Sequence, residues 1–112
     1  MKIAFTSKGP AWDSPMDERF GRTDYLVILD DQSMELTAVS NQDSQAVAHG
    51  AGPKTAQKLF DLAPDVLITG NGPGGNAAAV LNRMKIKIYT GAGGLTIRSA
   101  YEQFKHNQLK GG

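Results

Sequence analysis

The chain reads as an α/β protein, a five-stranded mixed sheet flanked by three helices in the order β-β-β-α-β-α-β-α. Three observations predict it: two β-rich runs flank a short polar turn in the first half, apolar residues recur at helical spacing three times after residue 53, and a strand separates each helix from the next. A helix between two strands implies a parallel crossover, whereas the hairpin is antiparallel, so the sheet is mixed. With 112 residues and 40% apolar content, one domain spanning residues 1–112 is expected around a modest core.

Lys2 to Thr6 is expected as a buried first strand, because Ile3, Ala4 and Phe5 run apolar up to a polar break. Tyr25–Leu29 and Met34–Val39 flank Asp30-Asp31-Gln32-Ser33 as a hairpin. Ala56, Leu59, Phe60 and Ala63 fall at i, i+3, i+4 and i+7, behind Pro53, which suits a first helical turn, and ahead of Pro64, which stops the helix. Asp65–Thr69 is the next strand. Ala77, Val80, Leu81 and Met84 repeat the helical spacing with Asn76 as N-cap. Lys85–Tyr89 then reads as a strand, and Ile97, Ala100, Tyr101 and Phe104 as the last helix, capped by Thr96. The Lys110-Gly111-Gly112 tail is expected to fray.

Residues 7–22 fit no regular element, and they exceed the usual connection of about 4–6 residues. The segment holds the single Trp together with Met16 and Phe20. It is expected to cover a ligand or contact a partner; alternatively, Trp12 and Phe20 pack down to close the core.

With no cysteine in the chain, there is no disulfide framework, no thiolate-ligated zinc or iron–sulfur cluster and no catalytic thiol. The apolar run at the N-terminus is too short for a signal peptide and nothing reaches the length of a membrane span, so a cytoplasmic protein without a membrane partner is expected. Residues 1–53 carry four Lys/Arg against eight Asp/Glu, and residues 54–112 carry eight against three. Lys54, Lys58, Arg83, Lys85 and Lys87 are scattered without aromatic neighbours, which argues for solvated faces rather than nucleic-acid binding.

Gly70-Asn71-Gly72-Pro73-Gly74-Gly75-Asn76, between a strand and a helix, is the most informative motif. Glycines let bare N–H groups approach a ligand and the following helix adds the positive end of its dipole, which makes an anion cradle. The glycines spell G-x-G-x-x-G, yet no Asp or Glu lies between Asp65 and Glu102 to grip a ribose, so a dinucleotide is disfavoured. Gly50-Ala51-Gly52-Pro53-Lys54-Thr55 resembles the end of a P-loop, but lacks the upstream glycine and interposes Pro53. Lys54 is still placed to offer its ammonium to an anion held by those amides, with a solvated lysine as the plain alternative. His49, just before this glycine pair, is a candidate metal ligand or hydrogen-bond donor. Asp13, Asp17, Glu18 and Asp24 cluster in or after the long loop without the convergence a two-metal site needs, and no catalytic residue stands out.

Taken together, Asp17-Glu18-Arg19-Phe20-Gly21-Arg22, Tyr25-Leu26-Val27-Ile28, His49-Gly50-Ala51-Gly52, Asp65 to Gly70, Gly72-Pro73, Asn76-Ala77 and Ile88-Tyr89 resemble the dinitrogenase iron–molybdenum cofactor biosynthesis family over nearly the whole chain. The resemblance implies a ribonuclease H-like fold. It also implies a non-enzymatic protein that binds, carries or assembles a molybdenum- or iron-containing sulfide cluster. Nitrogenase-dedicated members commonly place a His before the Phe-Gly pair, where this chain has Arg19. Ser7-Lys8-Gly9 with Trp12-Asp13-Ser14, and the Gly-Asn-Gly-Pro-Gly loop, look most like members that hold a molybdenum–copper sulfide cluster non-covalently. A preformed cluster brings its own ligands, so the protein need supply only N–H donors, cations and an apolar wall. The candidates are Gly50, Gly52, Asn71, Gly72, Gly74, Gly75 and Asn76 for the cradle, Lys8, Arg19, Arg22, His49 and Lys54 for charge, and Trp12 and Phe20 for cover. An unidentified delivery or acceptor protein is expected as partner. Two other readings stand beside this one: an enzyme or binding module for a phosphorylated or nucleotide ligand at the same loops, and a protein-docking adaptor using exposed Trp12, Met16 and Phe20.

Overall fold

Strand β1 (Lys2–Ser7) lies at the centre of the sheet because Ile3, Ala4 and Phe5 are wholly buried, leaving it no solvent-facing side. The computed structural model describes residues 1–111, without the side-chain surroundings of Gly75, Asn76, Lys110 and Gly111. β1 pairs antiparallel with β2 (Tyr25–Asp30), which pairs antiparallel with β3 (Glu35–Ser40). On its other side β1 runs parallel to β4 (Val66–Ile68), and β4 parallel to β5 (Lys87–Thr90). This is the mixed five-stranded sheet expected from the sequence.

Helices α1 (Gln42–Gln45) and α2 (Ala51–Leu62) follow β3, α3 (Gly75–Asn82) follows β4 and α4 (Ile97–Lys105) follows β5. A sixth strand, β6 (Lys110–Gly111), adds to the edge of β5, so the sheet order is β3-β2-β1-β4-β5-β6. The expected element order is thereby corrected twice. α1 is a single turn, too short to display a period, and β6 exists only through pairing with Tyr89 and Thr90. Lys110 and Gly111 are therefore not a frayed tail, while Gly112 lies outside the described residues. Two strand starts also move: Met34 (φ 61°) and Lys85 (φ 54°) sit in left-handed turns that end before β3 and β5 begin. The first position of α3 is Gly75 and its N-cap Gly74, so Asn76 is not the cap.

The sheet separates two cores. Ala4, Leu26, Ile28 and Leu67 face α2 and α3 through Ala56, Leu59, Ala77 and Leu81, with Phe20 among them. Ile3, Phe5, Val27, Leu29 and Ile68 face α4 through Ile97, Ala100 and Tyr101, with Met16 among them. Alternation along each strand divides these residues, because successive side chains point to opposite faces. The helices leaving the adjacent strands β4 and β5 thus go to opposite faces. In open α/β sheets the carboxyl ends of the strands at such a divergence are where ligands bind.

Candidate functional site

β1, β4 and β5 are parallel, so Ser7, Gly70 and Gly91 leave the sheet at the same edge, where α2 and α3 begin. The long connection crosses this edge. It is pinned by Met16 N–H donating to Leu95 O (2.8 Å), Asp17 N–H to Thr6 O (2.9 Å) and Ile97 N–H to Ser14 O (3.0 Å). Thr6 Oγ1 donates to Asp17 O, also at 2.9 Å.

Close backbone contacts fix the next residues. Asn71 N–H donates to Glu18 O at 2.8 Å, and a Cβ on Gly70 would fall 2.5 Å from the Glu18 Cα. Three residues further, a Cβ on Gly21 would fall 2.8 Å from the Gly52 Cα, and one on Gly52 would meet the Ala77 Cβ at 3.3 Å. Arg19 consequently occupies the stretch between the glycine loop after β4 and the first turn of α2. The first turns of α2 and α3 lie side by side.

Neither of these helices has a side-chain cap among the described residues, nor an acidic residue in its first turn. Gly50 (φ 79°) is the N-cap of α2 and Gly74 that of α3. The contrast is α4, whose Thr96 Oγ1 accepts from Ser99 N–H at 3.1 Å. First-turn N–H groups have no acceptor within their own helix, and with the dipole they favour an anion.

The basic residues have definite partners. Arg19 grips Asp17 with Nε to Oδ1 (3.1 Å) and Nη2 to Oδ2 (3.0 Å), and its Nη2 lies 3.8 Å from Asp24 Oδ1. Asp17 is buried, and it also accepts the N–H groups of Arg19 (3.0 Å) and Asp24 (3.2 Å). Burial pushes its carboxyl pKa up, but the Arg19 guanidinium and the two backbone N–H groups outweigh burial and hold it below the usual value. The same pairing, against a smaller opposing effect of desolvation, raises Arg19. Arg22 Nη1 donates to Gln45 O at 2.8 Å and Nη2 to Ala48 O at 3.4 Å, so it holds the segment that leads to His49 and Gly50. Lys54 Nζ donates to Asp43 O at 3.3 Å. His49 and Lys8 are exposed.

Asn41 and Thr55, which sequence reasoning missed, clamp the Gly21 turn onto α2. Asn41 Nδ2 donates to Gly21 O (3.3 Å), Thr23 O (3.0 Å) and Thr55 Oγ1 (3.0 Å), and Thr55 Oγ1 donates to Gly21 O (2.6 Å). Both residues are wholly buried. No local motif marks them, because their partners come from other segments of the chain.

Of the expected site residues, the structure gathers Arg19, Arg22, His49, Gly50, Gly52, Lys54, Asn71, Gly72 and Gly74 along this edge. Gly75 and Asn76 start α3 there, although their side-chain surroundings lie outside the described residues. Trp12 is placed apart, against Tyr101 on the α4 side (ring centroids 6.0 Å) with Arg98 5.5 Å above its ring. Phe20 (5% exposed) and Met16 (2%) are core residues, so the expectation of an exposed Trp12–Met16–Phe20 docking surface is overturned. These side chains turn inward because each removes its apolar surface from water, Met16 in the core on the α4 face and Phe20 in the core on the α2 and α3 face. No group of three or more His, Asp or Glu placed to hold a metal ion occurs among the described residues.

Fold and site together define a small α/β protein with glycine-rich loops at the carboxyl ends of parallel strands and two uncapped helix N-termini beside them. The chain belongs to the family described as dinitrogenase iron-molybdenum cofactor, whose profile matches residues 1–107. It is similar to the apo form of the orange protein from Desulfovibrio gigas, with 37% identity and a TM-score of 0.93 over 99% of this chain and 92% of that one. It is also similar to a putative NifB protein from Thermotoga, assigned to the DUF35 family, with 34% identity and a TM-score of 0.82 over 98% and 91% of the two chains. A third structure, that of PH0822, is 23% identical with a TM-score of 0.75 over 100% of this chain and 96% of that one, which supports the fold alone. No curated protein matches the chain.

Proposed function

We propose that this protein, as one domain over residues 1–112 with a ribonuclease H-like strand arrangement, binds and carries or assembles a preformed molybdenum-containing sulfide cluster. The reading is of a cytoplasmic, non-enzymatic carrier that receives its cargo from one protein and passes it to another. The supporting observation is the pair of uncapped first turns of α2 and α3, in contact at Gly52 and Ala77 beside the Gly70–Gly74 loop and the Arg19–Arg22 turn. N–H donors and cations of this kind suit an anion that already carries its own sulfide ligands. A chain without cysteine is poorly equipped for an ordinary iron–sulfur cluster. The family match supports a metal-cofactor cargo, and the similar protein from Desulfovibrio gigas is described as an apo form. A molybdenum–copper sulfide is the cargo favoured by the Trp12-Asp13-Ser14 and Gly70–Gly74 resemblance. Direct ligation by His49 is not required for such a cargo.

The test is reconstitution. Apo-protein is mixed with tetrathiomolybdate and copper and desalted, and visible absorption and metal content are then measured. Stoichiometric molybdenum and copper with charge-transfer bands is the expected result; a colourless, metal-free protein refutes the reading. A phosphorylated ligand would use the same N–H groups, and saturable binding of inorganic phosphate or a nucleotide by such a metal-free protein would favour that alternative.

A further inference from the structure

Asp17 is a buried carboxylate that the proposed site has not used. Its Oδ1 accepts from both the N–H and the Nε of Arg19, and its Oδ2 from Nη2 of Arg19 and the N–H of Asp24. One edge of the guanidinium is therefore locked, while the Arg19 side chain as a whole is 54% exposed against 1% for Asp17. Nη1 has no hydrogen-bond partner among the described residues. The backbone on either side of Arg19 is fixed as well, by Glu18 against Gly70 and Asn71 and by Gly21 against Gly52.

A guanidinium has five donors in a rigid fork, so binding one edge to a carboxylate aims the others without the entropy cost of ordering a free side chain. A lysine in its place would have no such fork.

We propose that Asp17 is the positioning residue of the anion site, holding Arg19 so that its outer guanidinium edge meets the bound cluster at the rim between the β4 loop and α2. The inference rests on the cluster-binding reading above. In this arrangement Arg19 stays on Asp17 when cargo binds, because leaving would strip a buried carboxylate of the only cation paired with it among the described residues. A turn-forming role alone, with Asp17 accepting the N–H two residues on, would support the loop without coupling to cargo.

Retention of molybdenum and copper after desalting is measured for wild type, Asp17→Asn, Arg19→Ala, Arg19→Lys and the Asp17→Asn/Arg19→Ala double variant, with thermal unfolding of each apo-protein. Asp17→Asn keeps the shape of the side chain and loses its charge. Asp17→Asn and Arg19→Ala are each expected to weaken retention about ten-fold, the size of a lost charge-assisted hydrogen bond, and the double variant no further. Arg19→Lys should not restore it. Multiplying losses in the double variant, or wild-type retention by Asp17→Asn, overturns the proposal while leaving the carrier reading intact. A wild type that retains no metal overturns both. Should Asp17→Asn fail to fold, the Arg19 Nε–H resonance of ¹⁵N-labelled wild type decides instead. It should be exchange-protected before and after loading, and its loss on loading overturns the proposal.

Discussion

Gly21 and Gly52 meet backbone to backbone: a Cβ on Gly21 would lie 2.8 Å from both the Cα and the N of Gly52. This contact seats the Arg19–Arg22 turn on the first turn of α2, and Gly52 passes the contact on to Ala77 of α3. Gly21→Ala must push two backbones apart, and a destabilisation of about 1–3 kcal/mol is expected in urea unfolding. Gly72→Ala is the control, since its Cβ would meet only the Thr90 Cγ2 at an ordinary 3.7 Å and should change stability by less than about 0.5 kcal/mol.

The Asn41 network gives a second prediction. Asn41→Ala removes the Nδ2 contacts to Gly21 O, Thr23 O and Thr55 Oγ1 and leaves Thr23 O short of a donor in a buried setting, whereas Gly21 O keeps the Thr55 hydroxyl. A loss of about 2–3 kcal/mol is expected, near the upper end for stranded buried polar groups. Thr55→Val, which keeps the shape and removes the bond to Gly21 O, should cost about 1–2 kcal/mol. Equilibrium denaturation measures both.

Acid should probe Asp17. Its folded pKa lies below the unfolded value of 3.8, so the ionised carboxylate stabilises the fold above that pH, and this contribution disappears as pH falls through the folded pKa. Thermal midpoints of wild type should therefore fall below about pH 4, while Asp17→Asn should start lower at neutral pH and show a flatter acid limb. Parallel curves would exclude Asp17 as the source of the acid transition.

Salt addresses Lys54. Its ammonium is exposed and loosely held at Asp43, so Lys54→Ala should leave stability within about 0.5 kcal/mol. If Lys54 contributes charge to the site, the variant should retain less cluster than wild type at low ionic strength, and the gap should narrow as salt rises. Equal retention in metal analysis at low salt would remove Lys54 from the site.

Most of the scaffold was legible in the chain because periodicity is local. Ile3, Ala4 and Phe5 announce a buried strand, and Ala56, Leu59, Phe60 and Ala63 announce a helix, each from neighbours alone. The single turn of α1 is too short to carry a period, and β6 depends on a distant strand edge, so both stayed hidden. The glycine loop was visible as a composition signal. Its neighbours across the fold were not.

The sequence by itself determined the α/β class, the hairpin followed by parallel crossovers, the absence of any thiolate and the presence of glycine-rich loops beside helix starts. These follow from side-chain period, residue counts and backbone freedom, which need no partner in space. Only the tertiary structure decided that Phe20 and Met16 turn into opposite cores, that Trp12 joins Tyr101 on the α4 side, and that Asp17 holds Arg19. It alone brought Asn41, Thr55 and Gly21 into one buried network. Burial and the orientation of a charge are properties of segments packed together, and a chain read residue by residue does not yet contain them.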